Sequence, residues 1–288
     1  MSLYVGRSVS FTEVNELSTE PLSSPGTYPV RPDAIPTFVL EEHGFRLSFA
    51  RTRAELEAVQ RLRFEVFNLE LGEGLDESHR TGLDCDRFDP VCHHLIIRHV
   101  RSGAVAGTYR MQVSEMADRH GGFYTADEFR LEMLPPEALG DAIEVGRACV
   151  AREFRNRHVL FMLWKGLTAY LRHNGKRYVF GCCSLTSQDP VEGKRVMDHL
   201  VESGFTHPEF RIEPQTEWEC YPPNFKPEST PAGKVRLPKL FSLYKRYGAK
   251  VCGPPALDRH FKTIDYMVLF DWRDIGRRRF GMLTSIGR

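Results

Sequence analysis

The sequence predicts an α/β (α+β) fold, a mixed and partly antiparallel sheet with helices on both faces. Three stretches carry that reading. Residues 142–173, AIEVGRACVAREFRNRHVLFMLWKGLTAYLRH, run as strand, basic turn and helix. Residues 93–113 form a hairpin, HHLIIRHV and AVAGTYRMQV joined by the turn RSG, which makes part of the sheet antiparallel. Late in the chain, a helical LPKLFSLYKRYG precedes the strand TIDYMVLF at 263–270.

Residues 1–44 are rich in Ser, Thr, Pro and Glu, show no sustained period and read as a flexible N-terminal tail. Deleting them is expected to leave folding intact. Residues 45–288 then form one domain. FRLSFA alternates Phe45, Leu47 and Phe49 and reads as a strand. Thr52 opens T-R-A-E, a capping box with Glu55. The helix behind it places Leu56, Val59, Leu62 and Val66 on one face and stops near Gly72. Its Arg63, Phe67 and Glu70 fall to the surface by default.

The turn-rich loop at 72–92 holds Asp84, Asp86 and Asp89, which repel one another unless a cation lies among them. Their spacing fits no EF-hand, and an Arg from elsewhere or a cationic substrate group suits them better than a metal. His93 and His94 have no partner at zinc spacing and read as structural. Arg110, on the second hairpin strand, would suit a carboxylate if buried. A connection with a short helix at about 126–133 leads to the central strand.

In that strand Glu144 and Arg147 stand three residues apart among Ile143, Val145 and Ala148. Burying such an acid and base is costly, so they need partners or a chemical task. One outcome is a salt-bridged strand. The other is a carboxylate delivered beside an anion-binding helix start, as a transferase requires. The turn carries Arg152, Arg155 and Arg157 and opens a helix whose free N–H groups attract anions. That helix sets Leu160, Leu163, Trp164, Leu167 and Leu171 on a core face. RYVFGCCSL at 177–185 is a buried strand, and DPVEGKRVMDHLVESGF a helix closed by Gly204. Residues 206–238 are Pro-rich, longer than an idle connection, and suited to covering a ligand site. A basic patch, RRR, stands at 277–279.

Composition excludes several classes. With 41% hydrophobic residues and 19 Phe, the 288-residue chain has ample material for a core. A net charge of +1 argues against a strongly basic nucleic-acid binder. Seven Cys, an odd number without C-x-x-C, argue against a disulfide framework or zinc knuckle and fit a reducing compartment. No apolar stretch approaches bilayer length and no signal-peptide core is evident, so a soluble or peripheral protein is expected.

Several motifs resemble the GNAT acyltransferases. They are similar to the branch that contains ornithine-lipid N-acyltransferases (ornithine–acyl-carrier-protein N-acyltransferases) and long-chain N-acyl amino acid synthases. The motifs are LRFEVFNLELG (62–72), LDCDRFD (83–89), GTYRM (107–111), EFRLEML (128–134), EVGRACV (144–150) and the run 159–185. They fall in order across about 45–271. The more distantly similar acyl-homoserine-lactone synthases share an Arg and a Phe on the first helix, a D-x-x-D, a strand Arg and an E-x-x-R. Here these match Arg63, Phe67, Asp86 with Asp89, Arg110, and Glu144 with Arg147.

The resemblance implies a GNAT-like sheet and transfer of a long-chain acyl group, 3-hydroxylated or not, from acyl carrier protein to the α-amine of ornithine or a similar amino acid. That is the first step of ornithine lipid synthesis. In this reading Glu144 is the general base, and backbone N–H groups near Val150 and Ala151 polarise the thioester oxygen. Arg147 and Arg110 hold Glu144 or bind the acceptor carboxylate. Asp86 and Asp89 hold the acceptor's cationic side chain or lock the loop, with Arg63 and Phe67 also at the substrate site.

Two departures stand out. The turn REFRNRHV lacks the Gly-rich pattern of coenzyme A users, which fits a phosphopantetheine-linked donor on a carrier protein. Cys92-His93-His94 lacks the acid that relatives more often carry before the last His, which leaves the acceptor open. No cofactor or metal is expected beyond the donor itself. Arg152, Arg155 and Arg157 would meet the acidic carrier protein, in the cytoplasm or at the inner membrane surface. The alternatives are an N-acyl signal synthase of the acyl-homoserine-lactone type and a catalytically silent acyl- or lipid-binding module.

Overall fold

Nine strands share one open sheet in the computed structural model, which describes residues 28–227 and 233–274. They are β1 (Leu40–Glu42), β2 (Phe45–Phe49), β3 (His93–His99), β4 (Val105–Val113), β5 (Ala142–Val150), β6 (Tyr178–Leu185), β7 (Lys250–Val251), β8 (Ala256–Asp258) and β9 (Thr263–Asp271). Their order is β1-β2-β3-β4-β5-β6-β9-β7, with β8 also paired to β9. Every pairing is antiparallel except β5 with β6. The helices are α1 (Arg53–Phe64), α2 (Ser78–Thr81), α3 (Ser114–Ala117), α4 (Thr125–Glu128), α5 (Pro136–Gly140), α6 (Arg157–His173), α7 (Pro190–Glu202) and α8 (Lys239–Arg246). The mixed sheet is the one the sequence predicts. The short β1, β7 and β8 escaped it.

Side-chain alternation sorts the core into two faces. Leu47, Leu95, Met111, Ile143, Tyr266 and Val268 point to one face and are covered by Val159, Leu163, Trp164 and Leu167 of α6. Phe180, Met267 and Leu269 point to the other, against Phe123, Phe129 and Leu131 around α4. On that second face α1 packs its predicted stripe: Leu56 and Val59 meet Ile96, and Leu62 and Val66 meet Cys149. Helices therefore cover both faces. Thr52 caps α1 by accepting from Glu55 N–H at 3.2 Å. The helix then loosens into a π-helical turn, Glu65–Leu71, before Gly72 ends it with φ 69°.

Two features open the sheet at its centre. The β4–β5 register slips by one residue between Thr108 and Arg110, and Arg147 takes φ 53°. A left-handed L-residue costs about 1–2 kcal/mol, and the bulge it makes bends β5 and re-aims its side chains. Before the bulge, Ile143 and Val145 face α6; beyond it, Ala148 and Val150 do. Arg147, an odd number of residues from Glu144, is thereby turned to the same face as Glu144. Pairing of β5 with β6 stops at Glu144 opposite Phe180. Just past that point a Cβ on Gly181 would lie 2.0 Å from the Val145 carbonyl oxygen, so only glycine lets the two strands pass this closely before they diverge.

The tail boundary expected at residue 44 moves. Residues 28–44 are packed against the domain, because local composition says nothing of long-range anchors. Ile35 is 2% exposed within the main core, and β1 pairs with β2. Arg51 donates to the Ile35 and Pro36 carbonyls, and Asn174 donates to that of Ala34. Removing residues 28–44 is therefore expected to destabilise the fold. As a narrower check, Ile35→Ala should cost roughly 2–5 kcal/mol in urea unfolding, as for other buried aliphatic truncations. Residues 1–27 and the 277–279 patch lie outside the described residues.

Candidate active site

The three loop acids do meet cations, and these are arginines from three elements. Arg63 of α1 donates through Nε to Asp84 at 2.6 Å, and through Nη1 and Nη2 to Asp89 at 2.6 and 3.0 Å. Arg110 of β4 donates to both oxygens of Asp86, at 2.7 and 2.6 Å, and to Asp89 at 3.1 Å. Arg147 of β5 donates to Asp86 at 3.2 Å and lies 3.5 Å from Asp84. Gln60 also donates to Asp89. Burial opposes ionisation of Asp89, but Arg63, His94 and Arg110 outweigh it and hold its carboxyl well below the usual carboxylate range. Asp86 is likewise held low, with Arg110 and Arg147 overcoming its burial. Three guanidinium groups and three carboxylates form one network with matched formal charges.

Of the two roles expected for Asp86 and Asp89, the geometry favours locking the loop. Arg63 and Asp89 are 0% exposed, so neither meets a substrate directly. They form the foundation under the site. Asp86 accepts from the Phe88 and Asp89 N–H groups besides its two arginines, so it locks the loop and has little capacity left for a cationic ligand. Phe67 is also set back: it packs edge-on against Phe261 with ring centres 5.3 Å apart. Phe261 in turn lies under the Arg147 guanidinium, 4.1 Å away. His93 and His94 are structural, as read. His93 accepts from the Tyr170 hydroxyl and donates to the Val30 carbonyl. Burial pushes its pKa down to about 4, which keeps it neutral.

Where β5 and β6 part, a cavity of about 40 Å³ opens on the α1 face, space for two or three water-sized groups. Arg110 and Arg147 form one wall, with Tyr124 and Phe261 beside them. Glu144 stands between, and Cys182, Ser184 and Asp265 form the opposite wall. Glu144 and Arg147 do not pair with each other; among the described residues Glu144 makes no ion pair. Its two oxygens instead accept from Thr125 N–H at 2.7 Å and Tyr124 N–H at 3.0 Å, anchoring the start of α4. Burial raises the Glu144 carboxyl above its ordinary value, against the pull of those N–H groups and of Arg110. The Arg147 Nε–H is buried without a hydrogen-bond partner.

Of the two N–H groups expected to polarise a thioester, one is engaged. Ala151 N–H donates to the Ala106 carbonyl at 2.9 Å. Antiparallel alternation then places Val150 in a non-hydrogen-bonded pair with Gly107, so its N–H points away from β4 into the gap left by β6. The α6 start is also less open to anions than the sequence implies. Asn156 caps it, accepting from the His158 and Val159 N–H groups at 2.9 and 3.1 Å. Arg152 and Arg157 are exposed, whereas Arg155 is tied to Glu70 and to the Val150 carbonyl.

On the α6 side of the same gap lies an apolar cavity lined by Tyr109, Trp164, Leu167, Tyr244 and Phe270. Val145 borders both cavities. The polar wall of Asp265, and Glu128 behind it, was not singled out in the sequence. The signal was there: an Asp amid TIDYMVLF, an apolar strand, is as costly to bury as Glu144.

Comparison with known proteins identifies the family. Residues 62–165 match the acetyltransferase (GNAT) domain. The L-ornithine N(alpha)-acyltransferase of Rhizobium meliloti is 31% identical over 235 residues, 76% of this chain and 77% of that protein. The chain belongs to this acyltransferase family. The Brucella abortus member is 30% identical, across 80% of this chain and 85% of its own. Among solved structures, the AHL synthase LasI is 12% identical with a TM-score of 0.44, covering 83% of this chain and 94% of its own. The family membership makes the protein an acyltransferase, and the GNAT-like mixed sheet accords with it. No helix among the described residues is long and apolar enough to cross a membrane.

Proposed function

We propose that the protein transfers a long-chain fatty acyl group, 3-hydroxylated or not, from the phosphopantetheine arm of acyl carrier protein to the α-amine of ornithine, opening ornithine lipid synthesis. The observation that carries this reading is the gap between β5 and β6. A polar cavity holding Glu144, Arg110 and Arg147 lies on one side of it and an apolar one against Trp164 and Tyr244 on the other, with Val145 lining both. A thioester lying across the gap would have its chain on the apolar side and its carbonyl by Val150. The relatives' names supply the acceptor.

In this mechanism the α-ammonium gives its proton to Glu144, directly or through a water. The neutral nitrogen attacks the thioester carbonyl, Val150 N–H supports the oxyanion, and the C–S bond breaks as the surplus proton on the nitrogen passes to the departing thiolate. No Cys or Ser nucleophile is required. The chemistry would take place in the cytoplasm, at or near the inner membrane surface.

The purified protein, given acyl-charged carrier protein and ornithine, should release free thiol and form N-acylornithine detectable by mass spectrometry. S-adenosylmethionine should not replace ornithine. Thiol release only with S-adenosylmethionine would favour the signal-synthase alternative, and donor binding without any release would favour a silent module. The carrier-protein donor is tested separately. Exposed Arg152 and Arg157 would steer an acidic partner, so raising salt should lower kcat/KM for that donor roughly tenfold, chiefly through association. Equal, salt-insensitive kcat/KM for acyl-coenzyme A and acyl carrier protein would overturn it.

A further inference from the structure

One buried amide beside the cavity is left unpaired at both ends. Gln112 of β4 is 1% exposed, and neither its carboxamide oxygen nor its nitrogen makes a hydrogen bond among the described residues. Burying an amide unpaired is costly, so such a group marks a place where something else completes its bonds. The strand alternation shows where it is aimed. Met111 and Val113 turn to α6, so Gln112 between them turns to the α1 face. There it stands directly across the β4–β5 ladder from Glu144, and both line the same cavity.

Side chains opposed in this way have Cβ atoms about 4.5–5.5 Å apart. The carboxamide and the carboxylate nevertheless do not bond to each other, because the Glu144 oxygens are turned to Thr125 and Tyr124 N–H. Each of those oxygens keeps a further lone-pair site. The cavity, about 40 Å³, admits a few waters and excludes the body of an amino acid. The acceptor must then stand at its mouth, and Glu144, itself 5% exposed, needs a small carrier to reach the amine. Other groups facing the cavity are otherwise occupied. Arg110 and Arg147 are matched by Asp84, Asp86 and Asp89. Burial keeps the Cys92 and Cys182 thiols and the Tyr124 hydroxyl protonated, and Asp265 shares a hydrogen bond with Glu128.

We infer that Gln112 seats a water against Glu144, and that this water carries the proton from the acceptor's α-ammonium to the carboxylate. Gln112 is then a positioning residue. The inference rests on the acyltransferase reading above and selects one of its two proton routes. The water gives one O–H to Glu144. It either gives the other to Gln112 Oε1 or accepts from Gln112 Nε2–H, and in both cases a lone pair remains for the ammonium. An N–H bond of the ammonium breaks as an O–H bond forms on the water, and the O–H aimed at Glu144 breaks as its proton joins the carboxylate. The water is regenerated, and Glu144 returns the proton to solvent before the next turnover.

The test is Gln112→Met, which keeps nearly the same volume and removes both polar atoms, so the fold should tolerate it. With acyl-charged carrier protein and ornithine near neutral pH, kcat should fall roughly 10²-fold, as for a misplaced reacting group, while KM stays within a few-fold. The deficit should narrow as pH rises and more of the amine is already neutral. Undiminished kcat, which relief of an idle unpaired amide would give, or a deficit equal at every pH would overturn the water seat and leave the acyltransferase reading intact. A wild type that acylates no ornithine would overturn that reading instead. A high-resolution crystal structure of wild type decides independently of any variant. It should show a water within about 3.2 Å of both Gln112 and Glu144; a carboxamide bonded directly to Glu144, or no water between them, counts against the seat.

Discussion

Arg63→Ala is expected to lose about 3–5 kcal/mol of folding stability, a large part of the roughly 5–15 kcal/mol that a domain possesses. The reason is what the truncation leaves behind. Asp84 and Asp89 would stay fully buried with their best cation gone, and Arg110 and Arg147 cannot reach every vacated oxygen. Urea unfolding measures this directly; a loss below about 1 kcal/mol would mean the network contributes like a surface pair. The pH dependence has a definite sign. Asp89 is held low in the fold, so its contribution is complete above the ordinary carboxylate pKa and is lost only as pH falls through the depressed value. Without Arg63 that depression shrinks, and acid unfolding should begin at a higher pH than in wild type.

Glu144→Gln should lower kcat by roughly 10²–10⁴ if the carboxylate removes the acceptor's proton. The deficit should narrow as pH rises, because more amine is then already neutral. The geometry also defines a second, separable effect. One Gln oxygen cannot serve both the Thr125 and Tyr124 N–H groups as two carboxylate oxygens do, so the α4 start should loosen by about 1–3 kcal/mol. The carboxyl is raised in the fold, so wild-type stability falls as pH climbs from the ordinary carboxylate value through the raised one, and the variant should be flatter there. A protein with lowered Tm but undiminished kcat at permissive temperature would assign Glu144 to anchoring alone.

The regular elements were legible because they follow a period. The α6 stripe is buried at Leu163, Trp164, Leu167 and Leu171 as its spacing requires, with Leu160 at the helix start only half-buried, and the 93–113 hairpin pairs as its turn predicts. The need of Asp84, Asp86 and Asp89 for cations was legible from charge alone. Which cations was not: Arg63, Arg110 and Arg147 arrive from three separate elements, and nothing local records that. Nor does the chain announce the bulge at Arg147, since an Arg at positive φ has no compositional mark. Without the bulge, Glu144 and Arg147 would face opposite sides of the sheet, and their three-residue spacing invited the salt bridge that the fold does not make. The β1 strand and Ile35 were hidden in a Pro- and Ser-rich stretch for a related reason, because their anchors are remote.

The ionic network also bears on how the protein can change over generations. Its six members are interdependent: altering one strands a buried charge, and an apolar substitute for the whole requires six simultaneous replacements. A lineage that varies one position at a time is held to this arrangement by the unstable intermediates on every path away from it. Ser184 on the opposite wall carries no such interlock. Single substitutions at Ser184 are therefore expected to cost less stability than single substitutions within the network.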